Sequence, residues 1–137
     1  MKVPEAILVQ IIAEASPRMG EAKYVTSRVE RLMRAQPSIC QYVMSFEKEL
    51  GVEGVVSVLF FVALAEQAVS VASGRSPARV SYHQLDAAAT SVPDLEAMAT
   101  VEPELASFVA SNIDLGPSGT PVARRLLAHA AAALLGQ

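Results

Sequence analysis

The sequence predicts an all-α fold, a single-domain irregular or orthogonal bundle of six to eight helices over residues 1–137. Three observations predict it. Apolar residues recur with a helical period between the prolines, no segment alternates like a strand, and one long apolar run occupies residues 52–73. A chain of 137 residues is also of the size that one hydrophobic core supports.

Three helices are expected before the apolar run, each with an apolar stripe along one side. The stripes are Val3, Ile7, Ile11 and Ala15 in the first helix, Val25, Val29, Leu32 and Met33 in the second, and Ile39, Val43, Phe46 and Leu50 in the third. The second helix also carries a basic stripe of Lys23, Arg28, Arg31 and Arg34. Because Glu21 and Glu30 dilute this stripe, we interpret it as a solvated helix face.

The run from 52 to 73 is expected to form the central helix of the bundle. It is too long for a strand, and glycines at 51 and 74 suit its two ends. Glu66 and Gln67 interrupt its apolar character, and a carboxylate near a bilayer centre costs about 2.5 kcal/mol or more. We therefore predict a helix surrounded by protein and no membrane association.

The second half of the chain divides at its prolines and capping residues. Ser81 and Gln84 have the spacing of a capping box before a short fifth helix. Pro93 and Pro103 each precede an acidic residue, as expected at helix starts. The GPSGT stretch at 116–120 is interpreted as a linker, after which an alanine-rich helix is expected to begin at residues 120–121.

Composition restricts the classes of partner and compartment. Apolar residues form 52% of the chain and charged residues 18%, against about 25% in a typical domain. This sparse polar coat predicts self-association, most simply as a homodimer. The net charge of −3 gives no drive toward nucleic acid. A lone Cys40 is compatible with a reducing compartment, and acids interrupt the weakly signal-like N-terminus, so a cytoplasmic location is expected.

The polar end of the central helix is the first candidate site. Glu66 and Ser70 share one side of that helix, with Gln67 beside them. Two interpretations are open: this end of the helix emerges toward solvent or a partner, or these residues form the floor of a pocket in which a carboxylate has a raised pKa.

The last helix supplies the second candidate. Arg124 and Arg125 are expected near its start, where the helix dipole disfavours cations by about 0.3–1 kcal/mol. A carboxylate of Asp114, Glu102 or Glu104, a second subunit or an anionic ligand is expected to compensate. We therefore predict that this pair is an interaction site.

No catalytic, metal or cofactor site is predicted. GxSxG, P-loop and GxGxxG motifs are absent from the sequence, as is the Glu-x-x-His pair of carboxylate metal bundles. Cys40 is expected to serve as a small apolar residue, and His129 to be a partly exposed helix residue.

The sequence favours a cytoplasmic accessory or regulatory homo-oligomer that acts through protein contacts and leans away from an enzyme. The alternative is a ligand-binding or enzymatic bundle with a pocket near Glu66. A deep cavity lined by Glu66, Tyr42 or His83 would favour the alternative, and a flat apolar patch the first hypothesis.

Overall fold

A computed structural model describes residues 3–112 and 116–136, and these ranges hold eight α-helices and no strand, which confirms the all-α class. The helices are α1 (Glu5–Ala15), α2 (Ala22–Ala35), α3 (Pro37–Met44), α4 (Glu47–Ser73), α5 (Tyr82–Ser91), α6 (Leu95–Val101), α7 (Pro103–Asn112) and α8 (Gly116–Leu135). A short 3-10 turn, Ser16–Arg18, connects α1 with the segment before α2.

Helix α4 lies at the centre of the bundle, as predicted. It packs against α1, α2, α3 and α8. Val58, Val62, Leu64 and Ala68 on α4 are fully buried, and all belong to one contiguous apolar core. By length and composition alone α4 could cross a bilayer, but 56% of its most apolar 18-residue window is buried inside the bundle. Such burial is usual for the core helix of a soluble bundle.

Glycines set the ends of the apolar part of α4. Gly51 has φ 74° and ψ 168°, so the chain turns there and a first helical segment, Glu47–Leu50, is offset from the rest. Gly74 has φ 75°, and its N–H donates to the Ser70 carbonyl oxygen at 2.9 Å. Glycine is favoured in this left-handed region because it lacks a Cβ atom.

Capping explains where α5 and α6 begin. Ser81 and Gln84 form the predicted capping box, with both reciprocal hydrogen bonds present. Helix α6 begins at Leu95 rather than at Pro93, because the Asp94 carboxylate accepts the Ala97 N–H at 2.8 Å and so serves as the N-cap. Ile39 and Val43 lie on the core side of α3, but that helix ends at Met44, so the predicted third stripe is divided: Phe46 and Leu50 pack against the core from the start of α4. Met33 of the second stripe is 42% exposed.

The expected linker at 116–120 is wrong, because α8 already begins at Gly116. Pro117 lies in the first turn of α8, where proline is tolerated because the N–H groups have no partner within the helix. Pro121 lies in the second turn, where it has no N–H to donate to the carbonyl four residues before it. Helix α8 therefore spans 20 residues, and its alanine-rich part packs against α4 and α5. Arg124 and Arg125 consequently lie beyond the first two turns, where the dipole argument does not apply.

Candidate functional site

A cleft of about 250 Å³ separates α2 from the polar end of α4, and the segment after α4 closes one side of it. The predicted residues Glu66, Gln67 and Ser70 all line this cleft. The other lining residues are Arg28, Arg31, Leu32 and Ala35 of α2, Ala63 and Val71 of α4, and Ser76 and Pro77 of the following segment. Three separate parts of the chain thus contribute polar groups to one concave surface.

Glu66 is half-buried between the core and the cleft. Burial raises the pKa of its carboxyl group, and a hydrogen bond from the Gln36 side chain with the charges of Arg31 and Arg28 opposes part of that rise. On its core side Glu66 lies near Cys40, whose thiol pKa is raised to about 11, mainly by burial and in smaller part by this carboxylate. The Glu66 carboxyl group is therefore neither fully exposed to solvent nor fully buried.

Two arginines, from adjacent turns of α2, form the wall opposite Glu66. Arg28 is half-buried, and its Nη2 donates a short hydrogen bond to Gln67 Oε1. The Nε of the same guanidinium group is buried without a hydrogen-bond partner. Arg31 is exposed at the rim. The basic stripe is thus only partly a solvated face, since two of its members line the cleft.

Glu66 and the two arginines influence each other electrostatically without forming an ion pair. The one ion pair within 4.0 Å in the described ranges is the exposed Arg18–Glu21 pair, at 3.2 Å. Glu66 therefore makes no direct salt bridge to Arg28 or Arg31, although their charges lower its pKa. Their charges therefore act on Glu66 from beyond ion-pair distance.

Gln36 connects the cleft to the segment that borders it. Its side chain is completely buried, with Oε1 accepting the Val80 N–H at 2.8 Å and Nε2 donating to the Ala78 carbonyl oxygen at 2.9 Å. The same side chain lies close enough to Glu66 to lower the pKa of that carboxyl group. A single amide thus ties the 74–81 segment to the end of α2 beside the cleft.

A second polar cluster surrounds His129 and lies apart from the cleft. The expectation that His129 is partly exposed is wrong, because it is 5% exposed. Its Nε2 donates to the Pro93 carbonyl oxygen at 2.9 Å, which leaves Nδ1 to accept the Tyr42 hydroxyl at 2.7 Å in the neutral ring. Burial is the main reason that the pKa of His129 is lowered. This histidine joins α3, α8 and the turn before α6.

The arginines at 124 and 125 point to different neighbours. Arg124 Nη2 donates to the Ala110 carbonyl oxygen of α7 at 3.0 Å. The guanidinium carbon of Arg125 lies 5.7 Å from the centre of the Phe46 ring. Neither lines the cleft. Of the acids expected to compensate them, Glu102 is buried and accepts the Val3 N–H at 3.1 Å, and Asp114 lies outside the described residues.

Other chemistry has little support in the described ranges. No group of three or more His, Cys, Asp or Glu side chains there is arranged to hold a metal ion. Cys40 is buried, as predicted, and its raised pKa keeps the thiol protonated at neutral pH. Tyr42 and His83 do not line the cleft, although they were considered as pocket residues.

An apolar groove of about 370 Å³ runs between α1 and α7. Its apolar lining residues are Leu8, Val9, Ile12 and Ala13 on α1 and Phe108 on α7. Val9 is 59% exposed there. Glu5 and Glu104 lie at the walls, and neither helix carries a basic residue. The groove is therefore apolar inside and acidic at its edge.

Comparison of the chain with protein-family models, with curated proteins and with solved structures finds no match.

Proposed function

We propose that the protein binds a small charged molecule in the cleft between α2 and α4. The observation that carries the proposal is the convergence of Arg28, Arg31 and Glu66 on one concave surface without direct ion pairs between them. A few polar groups converging in a pocket are typical of small-molecule sites. Leu32 and Ala63 provide apolar lining beside these charges.

The Arg28 side chain is held in place before a ligand arrives, which supports ligand binding over a purely structural role. Its Nη2 donates a hydrogen bond to Gln67 Oε1, so part of the cost of ordering this side chain is already met.

The test combines native mass spectrometry of the freshly purified protein with thermal unfolding in the presence of small carboxylates, phosphates and amines. A ligand at about 100 times its Kd stabilises the folded state by about 2.7 kcal/mol. We expect retained mass or a rise in Tm for the wild-type protein. Replacing Arg28 and Arg31 together by glutamine should abolish either signal.

Arg34→Gln is the matched control, because Arg34 lies on the same helix, is exposed and does not line the cleft. The Arg34→Gln variant should show the same retained mass and the same rise in Tm as the wild-type protein. A wild-type protein that shows neither signal would refute the proposal, as would a signal that persists when both cleft arginines are replaced.

The α1–α7 groove favours a second candidate function, that of an accessory protein that docks a helix of a partner. Two copies joined through this groove would bring the Glu5 and Glu104 carboxylates together with no basic residue on either helix to offset them. We therefore infer that its occupant is an amphipathic helix with lysine or arginine beside its apolar stripe. Homodimerisation stays a separate prediction, tested by sedimentation at micromolar concentration.

Fluorescence anisotropy with two labelled helical peptides tests the groove. Both have the same leucine stripe, but one has lysines and the other glutamates at its flanks. We expect binding of the lysine peptide alone, lost in Val9→Lys and retained in Val52→Lys, since Val52 is also exposed but lies outside the groove. Equal binding of both peptides, or no effect of Val9→Lys, would contradict this role.

A further inference from the structure

The two walls of the cleft carry opposite charges. The α2 wall presents Arg28 and Arg31, and the α4 wall presents Glu66. A purely anionic ligand bound to the arginines would face the Glu66 carboxylate, and a purely cationic ligand would face two guanidinium groups. Like charges so placed are costly in a partly desolvated site. The arrangement therefore favours a ligand that contains both signs.

We infer that the ligand is a small zwitterion of the amino acid type, whose carboxylate oxygens accept hydrogen bonds from Arg28 and Arg31 and whose ammonium group donates to Glu66. This inference rests on the proposed function, because it specifies the ligand of the same cleft. Arginine presents a planar fork of donors that matches a carboxylate.

The charge count of the cleft narrows the class of ligand further. Two arginines and one glutamate leave a surplus of one positive charge. A zwitterion with a second carboxylate, such as an acidic amino acid, would neutralise that surplus, whereas a simple amino acid would leave it. The hydroxyl groups of Ser70 and Ser76 line the same cleft and can donate to a further carboxylate oxygen. Acidic amino acids are therefore the expected best ligands.

Isothermal titration calorimetry with L-aspartate and succinate tests the inference, because these molecules share two carboxylates and differ in the ammonium group. We expect aspartate to bind in the millimolar range or tighter, and succinate about 10-fold or more weakly. The diamine putrescine should not bind. In Glu66→Gln, aspartate and succinate should bind with nearly equal affinity, since the ammonium partner is gone.

Glu30→Gln is the matched control, because Glu30 is an exposed acid of α2 that does not line the cleft. It should leave the preference for aspartate unchanged. If succinate binds wild-type protein as tightly as aspartate and Arg28→Gln weakens both, the zwitterion inference is wrong while the proposed function stands. Absence of aspartate binding to a correctly folded wild-type protein would overturn the inference whatever other molecule is retained.

Discussion

Replacing Gln36 by methionine should destabilise the fold markedly, although methionine has a similar length and unbranched shape. The Val80 N–H, on a residue that is 2% exposed, would lose its acceptor, which costs about 1–3 kcal/mol. Ala78 is exposed, so water can replace the donor to its carbonyl oxygen. The expected loss is therefore the cost of the Val80 N–H, about 1–3 kcal/mol.

Urea unfolding followed by circular dichroism at the helical band measures this loss. With a denaturant slope of about 2 kcal/mol/M, the midpoint should fall by about 0.5–1.5 M at an unchanged slope. Gln41→Met is the control, because Gln41 is an exposed glutamine of α3 that accepts one hydrogen bond, from the Tyr82 hydroxyl at 3.1 Å. Its free energy of unfolding should change by no more than about 0.5 kcal/mol, so its midpoint should move by no more than about 0.25 M. Equal midpoints for the two variants would refute the role assigned to Gln36.

Four further outcomes are expected. Leu64→Ala should cost about 2–5 kcal/mol because Leu64 is fully buried in α4, whereas Val52→Ala, at a position 65% exposed, should cost under about 0.5 kcal/mol in the same urea assay. Because the folded-state pKa of His129 is lowered, its contribution should be lost as pH falls below 6.5, and His129→Gln should flatten that part of a plot of stability against pH. Because the folded-state pKa of Glu66 is raised, stability should fall as pH rises above 4.5, and Glu66→Gln should remove that slope and stabilise the protein at pH 7. Cys40, with a pKa of about 11, should react with a thiol reagent only on unfolding, so native and urea-unfolded samples should differ by at least about 100-fold in rate.

Each of these expectations has an outcome that contradicts it. Similar losses for Leu64→Ala and Val52→Ala would mean that α4 is not the centre of the core. If the His129→Gln variant keeps the slope of the wild-type protein below pH 6.5, that slope belongs to other groups. An unchanged slope above pH 4.5 in Glu66→Gln would contradict the burial of that carboxyl group. Rapid modification of Cys40 in folded protein would contradict its enclosure.

The boundaries of the helices could be predicted where one residue type alone suits the backbone. Gly51 and Gly74 both adopt positive φ, which glycine favours. Ser81 and Gln84 form a capping box within four consecutive residues. In each case the cause of the helix boundary lies in the local sequence. The start of α8 could not be predicted in this way. Its first turn contains residues typical of turns, and the packing of the later, alanine-rich turns keeps that segment helical despite them.

Burial was predictable for stripes and unpredictable for single polar residues. Val29 and Leu32 lie in the core as their spacing indicates, whereas Met33 is exposed and Gln36 is completely buried. The sequence around Gln36 does not predict its burial, because its hydrogen-bond partners lie more than 40 residues away at Ala78 and Val80. A buried amide depends on contacts between distant segments, and periodicity within one helix carries no information about them.

The cleft combines a predictable residue with an unpredictable partner. Glu66 interrupts the most apolar run of the chain, and that local contrast was enough to select it. Whether it met solvent or a pocket depended on which face of α2 packs against α4, and that packing brings Arg28 and Arg31 opposite a residue more than 30 positions away. Packing against α4 therefore makes part of the basic stripe a wall of the cleft instead of a solvated helix face. Because Arg28, Arg31 and Glu66 line one cleft with no direct ion pair between them, a ligand that carries both charges can pair with each of them, and this is the physical reason for the proposal.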